Sequence, residues 1–410
     1  MESDVKVPFH RPSIGEEEIR EVEATLRSGW LTTGPRTHQF ERDVAEYVGA
    51  PRAVAVNSAT AGLHVALAAL GIGPGDEVIT TPLTFCATVN TILQVGARVV
   101  LADIGPDGNI DPAAITRCIH ERTRAIVPVH YAGLPCDMHA IWQLAQRHRL
   151  FVIEDAAHAI GARYYGRPIG AMHGTHSDAV VFSFYATKNM TTAEGGMITT
   201  ADTRLADKME MLTLHGIDHA AWNRYGAAGS WYYEVQACGF KYNLTDLQSA
   251  IGIHQLRKLE SMHAVRTEYA HRYQKAFSQI AELETPPDDP RSRHAWHLYP
   301  LRLNLETLTI SRSQFIEALR DAGICASVHF IPIPLHPYYA AHTDLRGDSC
   351  PEALKLYPRL ISLPLYPAMT PEQVQYVIDS VIKIVHASKR VTAVAVPGEN
   401  ERVHALVAAD

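Results

Sequence analysis

Lys188 lies in the polar segment SFYATKNMTTAEGG (183–196), which follows an apolar, strand-like run and ends in two glycines. A lysine amine forms a Schiff base with an aldehyde when burial or a neighbouring cation lowers its pKa. Ser183, five residues earlier, offers a hydroxyl to a phosphate group. The segment therefore indicates covalent amine chemistry, although an ordinary surface-loop lysine explains the same residues.

An acidic residue, Asp155, follows the apolar run in VIEDAAHA (152–159), where a buried strand would end. A carboxylate there can hold a cationic ring nitrogen by a charge-assisted hydrogen bond, or it can cap the helix that follows. His158 comes three residues later, and helical spacing would place it on the same face as Asp155. We interpret His158 either as a second ligand contact or as a packed histidine.

The segment NSATAGLH (57–64) passes from a strand-like run into a helix-like one. Ser58, Ala59 and Thr60 would present backbone N–H groups and two hydroxyls at the start of that helix, where the dipole favours an anion. The pattern predicts a phosphate site. Simple capping of the helix by Asn57 or Ser58 would explain the same residues without a ligand.

Two further segments carry aromatic and histidine side chains. Phe85 in TTPLTFCAT (80–88) would stack on a planar ring if it lies at a strand end, or else belong to the core. His329 and His336 in VHFIPIPLHPYY (328–339) stand seven residues apart across two prolines, which matches no usual metal-ligand spacing. We therefore predict no metal and interpret this stretch as a substrate-contact loop or a structural turn.

The composition narrows the class of protein. The 410 residues include 37 Lys and Arg against 44 Asp and Glu, a net charge of −7, with 47% hydrophobic and 20% charged residues. These values exclude collagen-like, disordered and disulfide-scaffold chains and argue against nucleic-acid binding. Six scattered cysteines, no secretory leader and no apolar run of about 20 residues predict a cytoplasmic protein without a membrane span.

Strand-like runs alternate with helix-like stretches over the first half of the chain. Leu63, Leu67 and Leu70, for example, mark a buried helical stripe. The alternation predicts an α/β fold with a doubly wound, mainly parallel sheet, whose strands end at the ligand site. The predicted strands cover residues 52–57, 77–81, 97–104, 124–129, 150–156, 179–184 and 196–200.

Before the first of these strands, a helix opened by Ser13 is predicted over 13–29.

The alternation of strands and helices changes after about residue 250. The second half contains a long helix (246–281), the run WHLYPLRL (296–303), a helix (311–322), the run CASVHFIPI (325–333) and a helix over about 371–386. We expect a large ligand-binding domain over 1–255, a small α+β domain over 256–386 and a flexible tail over 387–410.

Taken together and in this order, the motifs resemble a family. A phosphate-binding helix start, a stacking aromatic, a strand-end acid and a later lysine are the parts of a pyridoxal phosphate (PLP) enzyme of fold type I. The chain resembles the DegT/DnrJ/StrS-type nucleotide-sugar aminotransferases over roughly residues 5–385. The motifs that carry the resemblance are NSATAGLHVAL, GDEVITTPLTFCATVN, ARVVLADI, IVPVHYAGLPCDM, VIEDAAHAIGA, SFYATKNMTTAEGGMI, HGI and GFKYNLTDLQSAIG. GFKYNLTD and TKNMTTAEGG look most like members that aminate UDP-linked 4-keto-sugars, such as UDP-4-amino-4-deoxy-arabinose synthase.

The resemblance also implies roles for individual residues. Lys188 would form the Schiff base with PLP and then carry the proton, while Asp155 would keep the pyridine nitrogen protonated. The other implied cofactor contacts are Phe85 and His158 at the ring, and Ser58, Ala59, Thr60, Ser183 and, from a neighbouring subunit, Asn243 at the phosphate. The implied substrate contacts are His215, Lys241, His329 and Tyr338.

The function implied by the resemblance is a ping-pong amino transfer from an amino acid, L-glutamate by resemblance, to a UDP- or dTDP-linked keto-sugar. The product would serve surface polysaccharide, lipid A or glycosylated natural products. The contribution of Asn243 implies a homodimer with shared active sites. Relatives with histidine in place of the lysine are sugar dehydratases, and Lys188 favours transamination because only a primary amine is exchanged for the donor amine. A PLP-binding regulator without turnover and a PLP lyase or desulfurase remain as alternatives.

Overall fold

A computed structural model describes residues 6–217, 232–345 and 347–390. Its centre is a seven-stranded sheet formed by β1 (Arg52–Val56), β2 (Glu77–Thr80), β3 (Arg98–Leu101), β4 (Thr123–Val127), β5 (Phe151–Asp155), β8 (Ala179–Ser183) and β9 (Gly196–Thr200), while β6 (Arg163–Tyr164) and β7 (Arg167–Pro168) form a side hairpin. The strand order is β1-β9-β8-β5-β4-β2-β3, in which β9 runs against both of its neighbours and all other pairs are parallel. The α/β prediction is confirmed.

Helices cover both faces of this sheet. They are α1 (Glu16–Ser28), α2 (Pro35–Val48), α3 (Ala59–Ala69), α4 (Cys86–Gln94), α5 (Pro112–Cys118), α6 (Met138–His148), α7 (Thr203–Thr213) and the long α8 (Asp246–Phe277). Neighbouring strand residues point to opposite cores: Phe182 packs into the cluster under α2 and α6, and Val181 into the cluster under α3 and α7. Burial on both faces explains why the strands read as continuous apolar runs.

The first helix begins later than predicted. Ser13 does not cap it; Gly15 is the N-cap residue of α1. The carboxylate of Glu18 accepts a hydrogen bond from the Gly15 N–H at 2.8 Å, so the cap is supplied from inside the first turn.

A second, smaller core lies beyond the sheet. It contains the antiparallel strands β10 (Leu283–Glu284), β12 (Tyr299–Leu303) and β13 (Leu360–Leu363), and the helices α9 (Arg312–Asp321) and α12 (Pro371–Ser388). Further short elements are β11 (Ser292–Arg293), α10 (Pro337–His342) and α11 (Pro351–Leu356). The segment 325–333 is not the next strand; β13 pairs with β12 instead.

The predicted domain limits differ from the observed packing. The change of core falls within α8, between Met262 in the large core and Tyr269 in the small one, rather than at residue 255. Val7 at the N-terminus also belongs to the small core, where it bridges to Ile324. Helix α12 runs to Ser388 and Arg390 N–H donates to the Thr307 carbonyl, so the predicted tail does not begin at 387. Its remainder, 391–410, lies outside the described residues.

None of the helices within the described ranges combines the length and the apolar character needed to cross a bilayer.

Candidate active site

A cavity of about 570 Å³ opens where β1, β5 and β8 end, between the large and small cores. This is the edge at which open α/β sheets bind ligands. Nine of the residues predicted from the sequence line it: Ser58, Ala59, Thr60, Phe85, Asp155, His158, Ser183, Lys188 and His329.

Asp155 ends β5 and is 6% exposed. One of its carboxylate oxygens accepts a hydrogen bond from the Thr88 hydroxyl at 2.8 Å, and the other accepts one from the Ala157 N–H at 3.1 Å. Burial raises the pKa of Asp155, while these two hydrogen bonds and the charge of Lys188 oppose that rise. The carboxylate is therefore held in a fixed direction at the floor of the cavity.

Lys188 reaches the cavity from the loop between β8 and β9. Burial lowers the pKa of its amine to about 8, against the opposing effect of Asp155. A substantial fraction of a lysine with such a pKa is neutral near physiological pH, and the neutral amine is the nucleophile. The alternative of a surface-loop lysine is therefore wrong.

His158 is not on a helix, contrary to the expected spacing. Residues 156–162 form successive turns, with Ala159 N–H donating to Ala156 and Ala162 N–H donating to Ala159. The His158 ring lies 4.3 Å from that of His297 and 5.8 Å from that of Phe330, and burial lowers its pKa well below the usual range. Its Nδ1 is buried without a hydrogen-bond partner within the described chain.

The predicted phosphate site is the N-terminus of α3. Ser58 is its N-cap residue, and its hydroxyl accepts a hydrogen bond from Ala61 N–H at 3.1 Å. The capping interpretation is thus correct, and Ser58, Ala59 and Thr60 also line the cavity. Gly196 lets β9 approach closely, because a Cβ there would lie 2.8 Å from the backbone nitrogen of Ala59. The first N–H groups of a helix have no partner within the helix, and such a terminus is suited to binding an anion.

Two aromatic side chains flank the cavity mouth. Phe85, the residue before α4, is 60% exposed, so it is not a core residue, and its ring lies 6.1 Å from that of Phe330. His329 is held by stacking on Phe9 at 5.5 Å and by a hydrogen bond between its Nδ1 and the Ser362 hydroxyl at 2.9 Å. Burial and the charge of Lys188 lower the pKa of His329 to about 4.

Four predicted contacts lie outside this cavity. Asn243 pairs with Val56 at the edge of the sheet and its amide donates to the Thr33 hydroxyl at 2.8 Å. Lys241 donates to the Asn243 side-chain oxygen. His215 and Tyr338 are exposed, and neither lines the cavity.

Sequence reasoning missed several residues that line or support the cavity. Thr88 lies in the motif GDEVITTPLTFCATVN, four residues after Thr84, and the two hydroxyls are hydrogen-bonded at 2.8 Å. This spacing could have indicated that the two threonines interact. Phe330 lies beside His329 in the stretch VHFIPIPLHPYY that the sequence indicated as a contact loop, whereas Phe9, His10 and His297 come from distant segments that no local pattern marks.

The side chains fit PLP in four respects. Lys188 is an amine with a lowered pKa, Asp155 is a fixed carboxylate for a ring nitrogen, and α3 offers its N-terminus to a phosphate. The unpartnered Nδ1 of His158 is a polar atom that a ligand oxygen would satisfy.

Comparison with known proteins gives a consistent result. The DegT/DnrJ/EryC1/StrS aminotransferase family matches residues 12–382. The spore coat polysaccharide biosynthesis protein SpsC of Bacillus subtilis is 52% identical over 381 residues, 92% of this chain and 97% of SpsC.

Two solved structures share the whole fold. Spr1654 of Streptococcus pneumoniae is assigned as a sugar aminotransferase and has been solved in PMP- and PLP-forms. Its PMP-form is 33% identical to this chain and superposes with a TM-score of 0.87, and the match covers 93% of this chain and 100% of that one. Helicobacter pylori PseC, an aminotransferase involved in the biosynthesis of pseudoaminic acid, is 32% identical with a TM-score of 0.85 and covers 93% and 99%. The chain therefore belongs to the DegT/DnrJ/EryC1/StrS aminotransferase family and has its fold type I architecture.

Proposed function

We propose that this aminotransferase uses PLP to move an amino group from L-glutamate to the keto carbon of a nucleotide-linked sugar. The observation that carries the proposal is the placement of Lys188, Asp155 and the α3 N-terminus around one cavity. When bound, PLP supplies an aldehyde for amines and an electron sink for the carbon that loses a proton.

The two central side chains have separate tasks. Lys188 supplies the amine that holds the cofactor and, once displaced by the donor amine, Nζ is the base that moves the proton between carbons. Asp155 would accept a charge-assisted hydrogen bond from the ring nitrogen and keep it protonated. Thr88 and Ala157 keep the carboxylate pointing into the cavity throughout.

Transamination rather than sugar dehydration is favoured by the residue at position 188. Amino transfer needs a primary amine that is exchanged for the donor amine, and Lys188 is one. Burial lowers the pKa values of the neighbouring cavity histidines His158 and His329, which makes both rings weaker proton acceptors than the Lys188 amine.

The sugar class is supported by the relatives, since SpsC serves polysaccharide biosynthesis in its own organism. A nucleotide diphosphate is anionic, and Lys241 is an exposed cation beside the edge of the sheet. We assign Lys241, His215, His329 and Tyr338 to recognition of this substrate.

We further propose a homodimer with shared sites. Asn243 and Lys241 do not reach the cavity of their own chain, and the exposed Trp30 and Leu31 lie close in sequence to Thr33, the Asn243 partner. A second copy of the chain that packs against these apolar side chains would place its own Asn243 at the phosphate site of the first copy. All six cysteines are free thiols, which is compatible with the cytoplasmic location that we infer.

Absorbance spectroscopy and product mass test the proposal together. The purified protein with PLP should give the band of lysine-linked cofactor, lose it on addition of L-glutamate and regain it on addition of a keto-sugar nucleotide. A panel of UDP- and dTDP-linked 3-keto and 4-keto sugars, followed by mass spectrometry, identifies the aminated product.

Lys188→Ala removes the amine, and Lys188→Arg is the matched control that keeps the charge without forming the linkage. Both variants should bind PLP without the lysine-linked band and should yield no product. Turnover by Lys188→Ala at the wild-type rate would refute the assignment. A wild-type protein that binds PLP but aminates no sugar would instead favour a PLP-binding regulator.

A further inference from the structure

His297 lies on the cavity wall and has no role in the chemistry described so far. Its side chain is 6% exposed, and its ring packs against His158 with centroids 4.3 Å apart. Its backbone N–H donates to the Ala132 carbonyl at 3.0 Å, which fixes this small-domain segment on the large domain. The ring therefore has a defined position beside the reacting groups.

Asn189, the residue after Lys188, determines which nitrogen of His297 carries a hydrogen. The Asn189 amide nitrogen donates to the Ala295 carbonyl at 2.7 Å, so the amide oxygen is the atom that faces His297 Nδ1 at 3.1 Å. An amide oxygen only accepts, hence Nδ1 is the N–H donor and Nε2 carries the lone pair. Nε2 has no hydrogen-bond partner among the described residues, and the His297 side chain lines the cavity.

The surroundings of His297 keep the ring neutral. Burial lowers its pKa well below the usual value, and nearby positive charge lowers it further. The charges of Lys188 and Arg266 act in this way, and any proton on His158 or His329 would also disfavour a charged His297 ring. A neutral ring of this tautomer accepts a hydrogen bond at Nε2 and does not act as an acid at physiological pH.

Arg266 holds the backbone of His297 in place and disfavours a positive charge on its ring. It is 1% exposed, and its hydrogen bonds to described residues go to backbone carbonyls. One of its terminal nitrogens donates to the carbonyls of Trp296 at 3.2 Å and Leu365 at 2.7 Å, and lies 3.5 Å from that of His297. The guanidinium thus fixes the backbone that carries His297 and adds positive charge close to it.

We propose that His297 is a positioning residue for amino transfer: its Nε2 accepts a hydrogen bond from the Lys188 amine once that amine is released. With one N–H directed to His297, the Nζ lone pair of Lys188 is turned towards the carbon whose proton it takes. This inference rests on the proposed function, and it adds a residue that holds the base in place.

Nitrogen-15 NMR of histidine-labelled protein without PLP tests the tautomer directly. The His297 signals are assigned as those lost in His297→Phe. We expect the ring to be neutral and protonated at Nδ1 from about pH 6 to 8. An Nε2-protonated ring, or exchange between tautomers, would overturn the proposal. This readout does not depend on turnover, so it stands even if wild-type protein aminates no sugar and the proposed function fails.

Variants then test the effect on catalysis. His297→Phe keeps an aromatic ring against His158 but removes the acceptor, and kcat should fall at least about tenfold while PLP still binds. Asn189→Asp places a carboxylate beside Nδ1, which raises the pKa of His297 and protonates Nε2 at low pH. Its kcat should therefore rise with pH through a step that the wild type lacks.

Asn189→Ala is the matched control, because it removes both amide hydrogen bonds without adding charge. It should lower kcat without a new pH-dependent step. A wild-type kcat in His297→Phe, or a wild-type pH profile in Asn189→Asp, would show that His297 only fills space.

Discussion

Lys188 and Asp155 influence each other's charge across the cavity floor. Burial disfavours both charged forms, and each side chain partly offsets that effect for the other. Under the proposed function the neutral amine of Lys188 would react with the PLP aldehyde, so the rate of PLP uptake by the cofactor-free protein should rise with pH through about 8.

Asp155→Asn should shift that uptake profile to lower pH. The carboxylate raises the pKa of Lys188, so its removal lowers the pKa and exposes the neutral amine at more acidic pH. Stopped-flow absorbance at a series of pH values measures the midpoint. Asp111→Asn is the control, since Asp111 caps α5 and Asn preserves a cap while removing a carboxylate. An unmoved or higher midpoint in Asp155→Asn would contradict the coupling.

Thr88→Val tests the hydroxyl that supports Asp155. The Thr88 hydroxyl donates to Asp155 at 2.8 Å and accepts from Thr84, and loss of a hydrogen bond to a charged group costs about 1.5–3 kcal/mol. The pKa of Asp155 then rises further, and the acidic limb of the kcat/KM profile should move up by at least about one pH unit. Thr91→Val, one turn along α4, should leave the limb in place.

Among the elements, β9 and the N-terminus of α3 approach each other closely at the proposed phosphate site. Gly196 lies against the Ala59 nitrogen, the Ser58 carbonyl carbon and the Phe182 oxygen, each 2.8 Å from where a Cβ would stand. The glycine is needed for space rather than for its backbone angles.

Gly196→Ala should therefore displace the α3 N-terminus. We expect a loss of stability of about 1–3 kcal/mol, seen in thermal unfolding, and a weaker PLP dissociation constant in a fluorescence titration. Gly73→Ala is the matched control, because its Cβ would meet only the Val95 oxygen at 3.6 Å. Equal PLP affinity in the two variants would show that the close approach does not shape the site.

The strand and helix pattern was predictable where burial repeats regularly. Helix α3 carries the predicted apolar stripe, with Leu63 and Leu67 buried, and β9 matches the predicted run at both ends. The turns after Asp155 were not predictable, because VIEDAAHA has good helix formers and only tertiary contacts with His297 and Phe330 fix His158. Segments far apart in sequence likewise brought Phe9 and His297 to the site.

At the scale of the molecule, two cores share one helix. Helix α8 buries Leu259 and Met262 in the large core and Tyr273 and Phe277 in the small one. A sequence boundary at residue 255 could not anticipate this, because a continuous helix carries no local signal where its partner changes.

Subunit mixing tests whether the functional unit is two chains. Lys188→Ala alone should be inactive because it lacks the amine. Asn243→Ala alone should be inactive because, in the proposed dimer, each site would lack the phosphate contact from the other subunit. In a mixed dimer, one site receives Lys188 and Asn243 from different chains and is intact, while the other lacks both. Random exchange at equal amounts makes half of the dimers mixed, so about a quarter of wild-type activity should return. If Asn243 served its own chain, mixing would restore nothing, and each variant exchanged with itself gives that baseline.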